Sequence, residues 1–277
     1  MILRAAAVQM CSGTDPLVNA DHMARLVRDA ASQGATYIQT PEMTGALQRD
    51  RNGLRAVLRS EADDVIVAKA QELAGELKVY VHIGSTAIAL EDGKIANRGF
   101  LFGPDGVKIC HYDKIHMFDV DLDNGESWRE SAVYRPGEQA RTATLPVGKF
   151  GFAICYDVRF PQLFRAQALD GVDILTVPAA FTRQTGEAHW DILLRARAIE
   201  NGAFVIAAAQ GGVHEDGRET YGHSIIIDPW GKVLAEAGGV GEAVIIADLD
   251  LDRVGQARAK IPNLKNAREF VLNPAAS

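Results

Sequence analysis

Short apolar runs alternate with amphipathic stretches along the whole chain. "TYIQT" (36–40), "VYVHIGS" (79–85), "FGFAIC" (150–155), "DILTVP" (173–178) and "FVIAAA" (204–209) each precede or follow a segment whose apolar residues recur at three- and four-residue steps. Continuous apolar runs suit strands buried on both faces, and the intervening steps of three and four suit helices with one greasy side, so the pattern is that of an α/β fold. The spacing predicts a helix over Ala20–Ala31, carrying Met23, Leu26, Val27 and Ala30 and stopped by Gly34. It predicts a second over Asp63–Lys78 with Ile66, Ala70, Leu73 and Leu77 on one face. A third, over His189–Asn201, carries Ile192, Leu193, Ala196 and Ile199 and ends at Gly202. The segment after Leu251 reads as charged and irregular.

Two segments resemble each other. "FLFGPDGVKI" (100–109) and "IIIDPWGKVL" (225–234) both place a Pro-x-Gly turn between apolar strands, so both read as β-hairpins. They suggest two similar halves with a sheet each, although generic hairpin chemistry gives the same pattern. No linker or low-complexity stretch divides them, so residues 1–277 read as one domain. The balance of 29 Lys and Arg against 36 Asp and Glu gives a net charge of −7, with no basic block able to neutralise phosphates. Nucleic acid and anionic membranes are therefore not expected partners. The opening "MILRAAAVQM" is too short and too weakly charged for a signal peptide or a membrane span, which points to the cytoplasm.

The three cysteines, Cys11, Cys110 and Cys155, are odd in number and widely spaced, which builds neither a disulfide framework nor a CxxC site. Only Cys155 has a setting that suggests chemistry. "FGFAI" before it is a buried-strand run; "PQLFRAQALDG" after it opens with Pro161 in a first helical turn and closes on Gly171. A thiol on such a strand-to-helix turn faces the positive end of a helix, which favours a thiolate and later an oxyanion. Glu42 in "YIQTPEMTG" emerges behind a strand and a proline, and Lys114 in "KICHYDKIH" ends a hairpin strand with Tyr112 on its own face and His111 and Asp113 on the other. All three lie where ligands gather, at the carboxyl ends of strands. His111, Asp113 and His116 are close in sequence but lack a further ligand, so no metal is expected. His189 and Trp190 read as packing at a helix start, and Asp157 and Arg159 as structural charges paired near the nucleophile turn.

"TPEMTG", "YDKIHMFDVD" and "CYDVRFPQLFR", in that order and at those separations, resemble the three signature blocks of the nitrilase superfamily of carbon-nitrogen hydrolases. The likeness covers nearly the whole chain. "RPGEQ", "PAAFTRQTGEAHWDILLRARAIEN" and "YGHSIIIDPWG" extend it to the branch that contains omega-amidases and deaminated glutathione amidases. The resemblance implies an α-β-β-α sandwich whose subunits pair through outer helices, and hence a homodimer or higher oligomer. By motif it makes Glu42 the general base, Lys114 the oxyanion-stabilising cation and Cys155 the nucleophile, with the Tyr156 N–H as backbone oxyanion donor. Glu130, in "WRES", matches an acidic residue that contacts the Lys in relatives, although Glu126 in the same loop competes for that place.

The chemistry implied is hydrolysis of a small linear amide to ammonia and an acid through a cysteine thioester, without metal or cofactor. A free Cys and a free Glu differ by about 4 pK units, so proton transfer between them costs roughly 5 to 6 kcal/mol. Burial of Glu42 and the charge of Lys114 near the thiol are expected to narrow that gap. Arg183, read as a loop residue, is the candidate for a distal substrate carboxylate. Relatives acting on nitriles usually carry Trp-Glu after the nucleophile; Tyr156 and Asp157 here favour amides, with nitriles and N-carbamoyl amides as the alternative. A non-catalytic binding module on the same scaffold is disfavoured by the intact Glu, Lys and Cys.

Overall fold

A computed structural model describes residues 1–121, 125 and 127–274. The first half runs through strand β1 (Ile2–Gln9), helix α1 (Pro16–Ser32), strand β2 (Tyr37–Gln39), helices α2 (Arg51–Val57) and α3 (Val65–Leu77), and strands β3 (Tyr80–Ala89), β4 (Ile95–Phe102) and β5 (Lys108–Asp113). A small ribbon of β6 (Asp119–Asp121) and β7 (Ser127–Arg129) follows. The second half has β8 (Thr142–Leu145), β9 (Gly148–Phe152), helix α4 (Pro161–Leu169), β10 (Ile174–Thr176), helix α5 (Arg183–Asn201), β11 (Phe204–Ala207), the hairpin β12 (Gly211–Val213) with β13 (Glu219–Tyr221), β14 (Ile225–Ile227) and β15 (Val233–Glu236). Strand β16 (Ala243–Asp250) and helices α6 (Asp252–Lys260) and α7 (Asn263–Asn266) complete it.

Two six-stranded sheets result, ordered β16-β1-β2-β3-β4-β5 and β15-β14-β11-β10-β9-β8. In each, three central strands are parallel and their outer neighbours antiparallel. Parallel neighbours need crossovers, and the helices supply them. The period of two along β1 sets the layers: Leu3, Ala5 and Ala7 enter a core shared with Phe150, Phe152 and Leu175 of the second sheet, while Ala6 and Val8 face Met23 and Val27 of α1 and Ile66 and Leu73 of α3. The far side of the second sheet is covered by Leu163 and Phe164 of α4 and by Trp190 and Leu194 of α5. The architecture is an α-β-β-α sandwich. Each fully buried Leu, Ile, Val or Phe in these layers contributes about 1.5–3 kcal/mol.

Directed contacts fix how one sheet sits on the other. The Tyr37 ring stacks on Phe150 with centroids 4.6 Å apart. Gln39 Oε1 accepts the Ala208 N–H at 2.9 Å, and Gln9 Oε1 accepts the Ser224 N–H at 3.0 Å. Gln210 Nε2 donates to the Glu42 carbonyl at 3.0 Å. These bonds are buried, so each holds a defined sheet-to-sheet position that water cannot replace.

The suspected duplication is built into this topology. The order β1-α1-β2-α3-β3-β4-β5 recurs as β9-α4-β10-α5-β11-β14-β15, with the two Pro-x-Gly hairpins at equivalent sheet edges. Their turns close alike: Gly103 N–H to Val107 O at 2.9 Å and Gly106 N–H to Gly103 O at 2.8 Å, against Asp228 N–H to Lys232 O and Gly231 N–H to Asp228 O, both at 2.9 Å. Gly106 (φ +78°) and Gly231 (φ +82°) occupy the left-handed position that such turns require. A second matching pair, "LEDGK" (90–94) and "HEDGR" (214–218), is visible only with the fold in hand. Leu90 N–H to Lys94 O at 2.9 Å is matched by His214 N–H to Arg218 O at 2.8 Å.

Helix boundaries differ from the sequence reading for local reasons. α1 starts at Pro16 because Asp15 accepts the Leu17 N–H at 2.8 Å and proline is favourable at a first helical position. α3 lies inside its predicted span, capped by Asp64. α5 begins at Arg183, not His189, so His189 and Trp190 lie within the helix; Gly186 makes that first turn read as loop, yet a Cβ there would stand 2.3 Å from the Tyr221 side chain. Its buried face is Trp190, Leu194, Arg197, Ala198 and Asn201, whereas the predicted Ile192 and Ile199 are 68% and 53% exposed. The stretch after Leu251 is not irregular throughout: α6 seats Val254 and Ala257, and beyond α7 the side chains of Phe270, Val271 and Leu272 are exposed.

Candidate active site

Glu42 follows β2, Lys114 follows β5 and Cys155 follows β9, so three strand ends converge on the seam between the sheets. Glu42 precedes Met43, held at φ +54°, and Cys155 itself has φ +50°. Left-handed backbone at a non-glycine residue costs about 1–2 kcal/mol and persists only where surroundings impose it. For Cys155 they do. Its N–H donates to Pro178 O at 2.9 Å, and the fully buried Asp157 anchors the short 3-10 turn Cys155–Arg159. Asp157 accepts the Ile154 N–H at 2.9 Å and the Tyr112 O–H at 2.8 Å on one oxygen, and the His116 N–H at 3.0 Å on the other, which also lies 2.6 Å from His116 Nδ1. The Cys155 turn is thereby tied to β5, which leads into Lys114. Asp157 and Arg159 do not pair with each other as expected from the sequence, since Arg159 reaches His189 Nδ1 at 3.3 Å.

Lys114 Nζ, buried, donates to Glu42 Oε1 at 2.8 Å and to both oxygens of Glu130 at 3.0 and 2.9 Å. Glu130 therefore makes the contact with Lys114 that the resemblance implied, and Glu126 lies outside the described residues. Three groups escaped the sequence reading. Asn97 Nδ2 bridges Glu42 Oε1 at 2.9 Å and Glu130 Oε1 at 3.2 Å; the Ala180 N–H donates to Glu42 Oε2 at 2.9 Å; the Phe118 N–H donates to Glu130 Oε2 at 2.7 Å. Asn97 leaves one signal, a polar residue inside the apolar strand "IANRGFLF".

The charges settle differently from the sequence argument. Burial alone would lift Glu42, but the Lys114 ammonium and hydrogen bonds from Lys114, Cys155 and Asn97 hold it below its ordinary value. Burial, and then the negative charge of Glu42, push the Cys155 thiol well above its ordinary range, with Lys114 offsetting part of the rise. Burial also works against the Lys114 charge, yet Glu130 and Glu42 overcome it and keep the ammonium firmly protonated. Both expected shifts are thus reversed: Lys114 and the hydrogen bonds outweigh burial at Glu42, whereas burial and the Glu42 charge outweigh Lys114 at Cys155. At rest the cluster is a neutral thiol beside two carboxylates and one ammonium.

A cavity of about 400 Å³ opens over these groups, lined by Glu42, Lys114, Glu130 and Cys155, by Phe118, Trp128, Tyr134, Tyr156 and Phe181, and by the guanidinium-bearing Arg49, Arg51, Arg129 and Arg218. That is room for a small molecule. Arg183 is not among the described residues lining it. As the first residue of α5 its side chain is 65% exposed and pairs with Glu187 at 3.1 Å and Glu219 at 3.4 Å. Among the described residues no three His, Cys, Asp or Glu side chains are arranged to hold a metal ion, and no helix is long and apolar enough to cross a membrane. His116 is engaged by Asp157 and stacks on Phe160 at 3.5 Å.

Comparison with known proteins bears on this geometry. The carbon-nitrogen hydrolase family model matches residues 4–259. A deaminated glutathione amidase of Synechocystis sp. is 39% identical over 272 residues, covering 96% of this chain and 98% of its own. The omega-amidase NIT2 of Mus musculus is 34% identical over 265 residues, covering 96% and 95% respectively. Among solved structures, the C. elegans NitFhit protein superimposes with a TM-score of 0.88 at 31% identity over 96% of this chain, which spans 65% of that longer one. With the match running from the first strand to the penultimate helix, this chain belongs to the carbon-nitrogen hydrolase family.

Proposed function

We propose that the chain hydrolyses the C–N bond of a small linear amide through a thioester on Cys155. One observation carries the reading: a buried Lys114 ammonium joins Glu42 and Glu130 at 2.8–3.0 Å in the cavity that Cys155 lines. As Cys155 Sγ attacks the amide carbon, its proton passes to Glu42. A preformed thiolate is disfavoured, so proton transfer and S–C bond formation proceed together. The charge lost at Glu42 reappears on the carbonyl oxygen, and the net charge of the cluster is unchanged. Lys114 exchanges one anionic partner for another, keeping Glu130 throughout, while the Tyr156 N–H supplies a second donor to the oxyanion. Glu42 then protonates the departing nitrogen, ammonia leaves and the thioester remains. Water gives a proton to Glu42 as it attacks the thioester carbon; collapse of the second tetrahedral intermediate releases the acid, and Glu42 returns the proton to sulfur. No step calls for a cofactor.

Similarity to a deaminated glutathione amidase and an omega-amidase supports small linear amides over nitriles or N-carbamoyl amides. Residues 1–277 act as one catalytic domain in this reading, in the cytoplasm, with no nucleic-acid or membrane partner. The exposed Ile192 and Ile199 on α5 support self-association into a homodimer or higher oligomer. The test combines ammonia release with trapping. Cys155→Ala abolishes turnover at unchanged fold, Cys11→Ala and Cys110→Ala do not, and hydroxylamine diverts part of the product to a hydroxamate. Turnover surviving in Cys155→Ala, or wild-type acid formation with no hydroxamate, refutes the thioester route; ligand binding without turnover of any amide favours a binding module.

A further inference from the structure

Asn97 of β4 touches three of the groups gathered at the strand ends. Its carbonyl accepts the Lys114 N–H at 3.0 Å, and its Nδ2 gives one hydrogen to Glu42 Oε1 at 2.9 Å and the other to Glu130 Oε1 at 3.2 Å. The residue is 1% exposed, and its Oδ1 is buried without a hydrogen-bond partner. A leucine has the same branched shape and no acceptor to leave unpaired, so packing does not account for an amide at this position.

The carboxylates show what the amide does. A carboxylate has about four lone-pair sites, two on each oxygen. Those of Glu130 are all taken: Oε1 by Lys114 at 3.0 Å and Asn97, Oε2 by Lys114 at 2.9 Å and the Phe118 N–H at 2.7 Å. Glu42 Oε1 is filled by Lys114 at 2.8 Å and Asn97. Glu42 Oε2 accepts the Ala180 N–H at 2.9 Å, and that same N–H bonds the Cys155 sulfur, which puts Oε2 on the side of the thiol. Among the described residues, the one site left is on Glu42 Oε2, where the thiol itself can donate.

Resting on the amide-hydrolase reading above, we infer that Asn97 is a positioning residue: it closes Glu42 Oε1 and Glu130 to protons, so that the proton of Cys155 passes to Glu42 Oε2 alone. In that step the S–H bond breaks as an O–H bond forms at Oε2, and the S–C bond forms as the carbonyl π pair moves onto oxygen. Lys114 turns from Oε1 to the new oxyanion. Asn97 stays on Oε1 and keeps the protonated Oε2 aimed at the nitrogen that takes the proton and departs.

The test follows ammonia release from pentanamide and from the monoamide of glutaric acid across pH, in wild type and Asn97→Leu. The variant is expected to lose roughly 10- to 100-fold in kcat, as a misaimed base does, with KM within about threefold, since Asn97 does not line the cavity. Its Asn97 hydrogen bond gone, Glu42 rises, so the acid limb of kcat/KM moves to higher pH. The other groups facing Glu42, which are Lys114, Glu130, Cys155, Tyr134 and Arg218, are the same in both proteins. If Asn97 did no more than depress the carboxylate, its loss would leave a stronger base; a kcat that holds or rises therefore overturns the inference, as does an unmoved acid limb or a loss confined to KM. Should Asn97→Leu fail to fold, Asn97→Val, smaller and suited to a strand, is held to the same outcomes. Wild type hydrolysing neither amide counts against the reading above instead. The hold on Glu42 is then decided by titrating its side-chain carboxyl by ¹³C NMR, assigned by the signal missing in Glu42→Gln: a higher value in Asn97→Leu is expected, and an unchanged one overturns the assignment.

Discussion

Replacing Lys114 with Met keeps the length and packing of the side chain but removes the only cation shown touching Glu42, whose remaining donors, the Cys155 thiol, Asn97 Nδ2 and the Ala180 N–H, are neutral. With Lys114 only 2% exposed, solvent screens this pair little, and a buried pair broken on one side costs about 3–5 kcal/mol. The pH dependence identifies the cause. In the wild type Glu42 is held below its unfolded value of about 4.3, so it contributes stability above that pH, lost only as pH falls through the depressed value. Without Lys114, burial becomes the ruling influence and the folded value moves above the unfolded one. Folding then takes up a proton, and the variant gains stability as pH falls from neutrality toward the unfolded value. At about 1.36 kcal/mol per unit, each pH unit descended between the raised folded value and the unfolded one recovers up to about 1.4 kcal/mol of the deficit, so about pH 7.5 and about pH 5 are the conditions to compare. Urea unfolding of both proteins at the two pH values measures this directly, provided the m-values agree. A deficit equal at both, within about 0.5 kcal/mol, would show that Lys114 stabilises by packing and that the electrostatic account is wrong.

Two further outcomes follow from the same network. Asp157→Asn offers its amide hydrogens to groups that are themselves donors, so at least the Ile154 N–H or the His116 N–H is left unpaired; destabilisation of about 2–5 kcal/mol by urea unfolding and a fall in kcat are expected, and a variant within about 0.5 kcal/mol of wild type contradicts the anchoring role. Glu42→Gln removes the negative charge that helps lift the Cys155 thiol while Lys114 stays, so iodoacetamide at about pH 8 should alkylate Cys155, followed by intact mass, about tenfold faster or more, even as amide turnover disappears. Unchanged or slower alkylation would mean that Glu42 does not set the state of the thiol.

Positions fixed by chain-local chemistry were readable. The apolar run ending at Cys155, Pro161 just behind it and the proline before Glu42 all mark strand ends, and these strand ends meet at one cavity. Helices α1 and α3 were placed by their apolar faces, and the paired hairpins pointed to the duplicated sheets. Relations set across the fold were hidden. Asn97 reads as an ordinary strand residue until β4 is seen to pass Glu42 and Glu130, and Arg218 sits in a turn whose composition is that of any solvent-facing loop. Arg183 misled because Thr182 makes no side-chain cap bond and Gly186 follows, which disguised a helix start as a loop. The reversed shifts of Glu42 and Cys155 depend on how deeply the thiol is buried and how closely Lys114 approaches Glu42, which only the folded arrangement supplies.

The pairing of β1 with β16, from Ile2 opposite Asp250 to Gln9 opposite Ala243, joins two strands separated by most of the sequence. At 5–20 residues per second the partner strand leaves the ribosome roughly 12 to 50 s after β1 does. Throughout that interval β1 keeps one bare edge of N–H and C=O groups beside its apolar faces, the surface most prone to pairing with another chain. Arg4, which meets Asp248 at 2.8 Å in the finished sheet, meanwhile places a charge on that edge and works against wrong partners. Strand β16 therefore does more than widen a sheet: its arrival ends the period in which the nascent chain depends on solubility, or on a chaperone, to remain alone.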